Sequence, residues 1–265
     1  MTKVIQNILL FAAALIASVI PAAAQEVVRK AAGPDAAAIQ DVVEQFRVDL
    51  GGQLNPNVAQ TFETGRREIN WDGVPDGFSS PNALPANFFN ANSPRGLVYS
   101  TPCESATFRV SAKLGNPTNT PVRFGEIDPS YTDTFKAFSP QRLFTVVGNG
   151  EPCSQLSVSF FAAGTNTPAE TTGFGVIFSD VDIPGHTRFI AYDKYGNELD
   201  PGVITAERSN DGFSFIGVLY PEPKIARVDI KSGKTGLFPG ILDSQPGKDV
   251  VAMDDFIYGE PQPIR

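Results

Sequence analysis

Eight strand-length runs, mostly rich in Val, Ile, Phe and Tyr, restrict this chain to sheets that pair antiparallel: 107–114, 142–147, 155–163, 173–182, 187–195, 212–220, 225–231 and 250–258. Gly, Pro, Asn and Asp separate them, and no convincing helix lies between them. A parallel sheet needs crossover helices, so sheets packed face to face are the remaining solution. Phe supplies 20 residues and Trp one, and Phe213 with Phe215, or Phe174 with Phe178 around Val176, fall at alternate positions. Alternation puts such side chains on one sheet face, where they are core. The expected fold is mostly β, an antiparallel jelly-roll-like β-sandwich over residues 66–260 with a short N-terminal helix.

Residues 25–65 read as a linker and an amphipathic helix. Ile39, Val42, Val43 and Phe46 recur at helical spacing, Asp35 can cap the start and Gly51-Gly52 stops the run. The apolar stripe is expected to cover an end or edge of the sandwich. Residues 193–198 read as a hairpin turn in which Gly196 and Asn197 accept positive φ. The proline-broken stretches 82–94 and 116–121 read as recognition loops, and 261–265 as a tail.

Residues 1–24 read as a signal peptide: Lys3, an apolar run from Ile8 to Ile20, then Ala22-Ala23-Ala24 before Gln25. The run falls short of the ~20 apolar residues of a span. The mature chain is expected to be secreted or periplasmic, bacterial, and without a membrane span. Cys103 and Cys153 fit no zinc spacing, and an oxidising compartment favours a disulfide between them. Lys and Arg number 21 against 29 Asp and Glu, a net charge of −8, with no basic cluster to track phosphates, so nucleic acid is excluded as a partner.

Asp72 and Asp76 follow an early strand, and Asp254-Asp255 sit inside the last run. If those strands pair, the four carboxylates come together, and carboxylates with loop carbonyls are what a structural calcium ion takes. Adjacent strand residues point to opposite faces, so at least one of Asp254 and Asp255 is expected to face inward or toward an edge and to want a partner. Asp180 and Asp182 form a second, weaker acidic cluster. Trp71 is the one Trp candidate for a ligand contact. His186, the sole histidine, reads as a solvated turn residue, and no nucleophile elbow, phosphate loop or dinucleotide fingerprint occurs.

The segment Gly173-Phe174-Gly175-Val176-Ile177-Phe178, the hairpin at Tyr192–Asn197 and the terminal Met253-Asp254-Asp255-Phe256 resemble the second half of secreted jelly-roll domains. Those domains occur in bacterial exported proteins with PEP-CTERM-type sorting tails, and they are similar to carbohydrate-binding-module sandwiches. The resemblance implies a sheet closed by the Asp-Asp-aromatic strand and an aspartate there that helps hold calcium. The sorting motif, span and basic tail of that group are missing here. Glu126-Ile127-Asp128 resembles the opening of the strand motif of laminarinase-like glycoside hydrolases, but Tyr131 stands where that motif has its acid.

The expected function is noncatalytic recognition of extracellular or cell-surface glycan through end loops, with no catalytic residues assigned. The alternatives are a self-associating structural or matrix protein of the cell envelope, and a glycan hydrolase using Glu126 and Asp128.

Overall fold

The computed structural model describes residues 25–264; residues 1–24, read from sequence as a signal peptide, and Arg265 lie outside them. In chain order the elements are β1 (Val27–Gly33), α1 (Ala36–Asp49), β2 (Arg66–Ile69), the single turn α2 (Phe88–Ala91), β3 (Leu97–Ser100) and β4 (Thr107–Val110). The single turn α3 (Tyr131–Thr134) precedes β5 (Phe144–Val147), β6 (Gln155–Phe160), β7 (Ala169–Glu170), β8 (Gly173–Val181) and β9 (Arg188–Tyr192). The chain closes with β10 (Ile204–Thr205), β11 (Ser209–Leu219), β12 (Arg227–Lys231), β13 (Ala252–Gly259) and β14 (Gln262–Pro263).

The larger sheet runs β1-β11-β8-β13-β5-β4 with β2 also on β13, and the smaller runs β10-β9-β12-β6-β3. All pairings within both sheets are antiparallel. From β5 onward the chain largely alternates between the sheets, so the molecule is a mostly β, jelly-roll-like sandwich. Each of the eight runs named from sequence contains a strand.

The inner faces meet in one core. Phe174, Val176 and Phe178 of β8, Phe256 and Tyr258 of β13 and Ile216 and Val218 of β11 face Leu156, Val158 and Phe160 of β6 and Phe189 of β9. A second core lies outside the larger sheet, where Ile39, Val43, Phe46 and Leu50 pack on Ile177, Phe213, Phe215 and Ile257. The helix therefore covers the outer face of β8, β11 and β13, not an end or edge. Its seat is a glycine pair: Gly175 and Gly217 lie opposite each other, and a Cβ on either would come within 2.8 Å of the Phe46 ring. With both faces covered, β8 and β13 are buried along their whole length. The expected helix start holds, since Asp35 Oδ1 accepts from the Ala38 amide at 3.0 Å.

Two boundaries differ from the sequence reading. The stretch read as a linker contains β1, paired residue for residue with β11 from Val27 to Gly33, so the sandwich begins there and not at Arg66. The expected tail contributes β14, paired with β7. At the hairpin after β9, Gly196 takes φ +82° but Asn197 is not left-handed; the Asp193 carboxylate accepts from the Tyr195 and Asn197 amides instead.

A buried ion pair ties the 50–65 segment down. Arg67 and Glu260 are fully enclosed and bidentate, at 2.5 and 2.8 Å, and Arg67 also donates to the carbonyls of Pro56, Gln60 and Pro94. Cys103 and Cys153 form a disulfide with Cα atoms 6.2 Å apart, closing a separation of 50 residues between the β3 exit and the β6 start. On the chain-entropy model such a loop stabilises by about 4 kcal/mol.

Candidate functional site

β2 and β5 lie end to end along one side of β13: Ile69 pairs with Phe256, and Phe144 with Met253. The early and last strands thus do pair. The chain leaving β2 and the chain entering β5 meet beside Asp254-Asp255, and the four aspartates converge there on segment 138–142. Asp72 Oδ1 accepts from the Gln141 and Arg142 amides at 2.5 and 3.0 Å. Asp76 pairs with Arg142 at 2.5 Å and with Lys113 at 3.3 Å.

Asp254 accepts from the Phe138 amide at 2.6 Å, and the Ser139 hydroxyl lies 3.0 Å from Asp254 and 2.5 Å from Asp255. Neighbouring carboxylates reach one hydroxyl because β13 bulges here: Met253 pairs with Phe178 and Phe256 with Val176, so β13 has one extra residue. The expectation of opposite faces fails at the bulge. Burial, then the adjacent Asp255, pushes Asp254 well above the carboxylate range. Every carboxylate of the expected calcium set therefore has protein donors, and the set anchors a loop by its amides.

Trp71 is 1 % exposed, stacks on Phe144 with ring centroids 4.1 Å apart, and donates Nε1–H to the Asp254 carbonyl at 3.0 Å. It offers no ring face to an external ligand, which corrects its reading as a ligand contact. Glu126 lies in a turn, not a strand; Asp128 caps Ser130, and the Tyr131 hydroxyl is tied to the Ile241 carbonyl at 2.6 Å. His186 sits in the turn before β9.

A groove of ≈ 540 Å³ on the outer face of the smaller sheet crosses β6, β12 and β9 and ends at Thr101 and Pro102, and a smaller hollow of ≈ 350 Å³ lies at the 116–121 loop. Strand register sets its side chains in rows. Gln155, Lys231 and Arg188 form one row, Ser157, Asp229 and Ile190 the next, and Ser159, Arg227 and Tyr192 the third. Ser157 Oγ donates to Asp229 at 2.7 Å, Arg227 pairs with Asp229 at 3.0 Å, and the Arg227 guanidinium lies 4.3 Å from the centroid of the Tyr192 ring. Lys231 and Arg188 stand directly opposite each other, and neither takes part in an ion pair among the described residues. Like charges in that relation repel, and this end of the groove carries two positive charges without an ion-pair partner among the described residues. The disulfide beside Thr101 holds the β3 wall against β6.

Sequence reasoning missed this surface, because alternate polar residues on β6, β9 and β12 read as an ordinary solvated face. Only the pairing of these strands reveals the rows.

Asp180 and Asp182, at the end of β8, are brought together with Asp243 from the loop before β13.

No protein-family model matches the chain, and no curated protein matches it. No helix among the described residues is long and apolar enough to cross a membrane.

Proposed function

We propose that this chain is an exported, noncatalytic recognition module that binds an extracellular or cell-surface glycan in the groove across β6, β12 and β9. The observation that carries the reading is the groove itself. Its volume is that of a small-ligand site, and it combines one aromatic ring with amide, hydroxyl and charged groups in fixed rows. Sugars are recognised by such a pairing of a ring face with hydrogen-bonding side chains. The opposed Lys231 and Arg188 favour an acidic sugar at that end. Export is supported by the signal-peptide pattern and by the disulfide, which persists in oxidising compartments. The resemblance to secreted jelly-roll domains points the same way.

Calorimetric titration of the mature protein with neutral and uronic-acid oligosaccharides tests it. Saturable binding is expected for an acidic oligosaccharide, weakened tenfold or more by Tyr192→Ala and by Lys231→Ala, with folding intact. Saturable binding that both variants leave unchanged would sink the groove assignment.

Self-association is the second reading. β1 is the terminal strand of its sheet, with Val27 and Val28 exposed on it, and an open strand edge is a template for pairing with another chain. That reading requires concentration-dependent sedimentation without any saturable sugar affinity.

A further inference from the structure

We propose that Asp180, Asp182 and Asp243, with the buried Asp249 beside them, form a calcium site where the end of β8 meets the loop before β13. This site is separate from the groove and does not depend on what the groove binds. Asp180, Asp182 and Asp243 each bring a carboxylate oxygen within 4.8 Å of the other two. That is the span of a calcium shell, whose oxygens lie about 2.3–2.6 Å from the ion.

Three of the carboxylates accept from backbone amides, Asp180 from Asp211 at 2.8 Å, Asp243 from Val250 at 3.1 Å and Asp249 from Asp182 at 2.9 Å, and the amides of Ile183 and Lys234 also face the Asp249 carboxylate. The hydrogen bonds stop there for two oxygens that water does not reach. Asp182 Oδ1 is buried without a partner, and so is Oδ2 of Asp249, a residue with 0 % exposure whose charge faces those of Asp182 and Asp243.

No Lys or Arg makes an ion pair with any of the four among the described residues. Buried carboxylates without a counter-charge are costly, and a divalent cation is the group that would satisfy both the orphaned oxygens and the charge. The donor set is all oxygen, which suits a hard cation and not zinc. The ligands come from two distant parts of the chain, so an ion here would clamp the loop before β13 to β8.

Calorimetric titration of the chelator-treated mature protein with calcium chloride, alongside its thermal unfolding midpoint, tests the site. One calcium per chain is expected, with the midpoint raised by about 5–10 °C at a hundredfold excess over Kd. Asp182→Asn and Asp243→Asn should abolish the shift, yet in chelator unfold no lower than wild type, since each removes one repelling charge. The proposal is overturned if the wild type binds no calcium. It is equally overturned if both variants keep the shift while Asp254→Asn loses it.

Discussion

Glu260→Gln would leave the Arg67 guanidinium buried without its counter-charge, in a network that also holds Asn55 and the 56–62 backbone. Removing one partner of such a pair costs about 3–5 kcal/mol. Urea unfolding should show an unfolding free energy lowered by that amount, and a loss below ~1 kcal/mol would mean that solvent reaches the site. None of this was legible in the sequence. Arg66-Arg67-Glu68 reads as an exposed charged strand, and nothing ties residue 67 to residue 260. Cys103 and Cys153 were legible for the opposite reason, since the two are the only cysteines and the expected oxidising compartment leaves each only the other as partner. Asp254 and Asp255 fall between these cases: the inward turn of at least one followed from their place in a strand, but the bulge that turns both toward Ser139 leaves no mark in composition.

Among the elements, the seat of α1 on the larger sheet makes the sharpest demand on sequence. Gly217→Ala would place a Cβ 2.8 Å from the Phe46 ring and 3.1 Å from that of Phe215, in a pocket closed on all sides by apolar side chains. Overpacking of this kind costs about 1–3 kcal/mol. Phe46→Leu in the same chain should return part of that loss, because the two changes share one space. If the costs simply add, the ring does not sit on the glycines. The helix itself was readable from Ile39, Val43 and Phe46 and from the Asp35 cap, but its docking face was not, because the dent is made by two glycines 42 residues apart that only strand register brings together. β1 escaped notice because Val-Val-Arg-Lys-Ala-Ala-Gly is short of bulky residues and gains its place by backbone pairing with β11. β3 is four residues inside a proline-rich stretch, too short for any period to register.

For the whole molecule, two sheets and a helix make one body whose charge is uneven, and pH should reveal where. Burial pushes Asp180 up to about 7 and Asp243 up to about 6, from an ordinary value near 3.8. The folded chain therefore holds protons that the unfolded chain has released. The stability these groups contribute is full below pH ~4 and is lost as pH rises through their folded values. In chelator, urea midpoints should fall between pH 4.5 and 7.5, and calcium should reverse the fall, because metal binding displaces those protons. Stability that is flat across that window in chelator would contradict the burial of this cluster.

The sandwich and its strands were legible because their periodicity and turn residues are local. The groove and the Asp243 partner of Asp180 and Asp182 were not, because both exist only once distant segments pair.

The central claim is that the outer face of the smaller sheet is the binding surface. An amide chemical-shift titration of the isotopically labelled mature protein with an acidic oligosaccharide tests it most directly. Saturable shifts are expected on β6, β9 and β12, concentrated at Ser157, Arg188, Tyr192, Asp229 and Lys231. Shifts confined to the loops at 82–94 and 116–121, with the sheet unmoved, would contradict it.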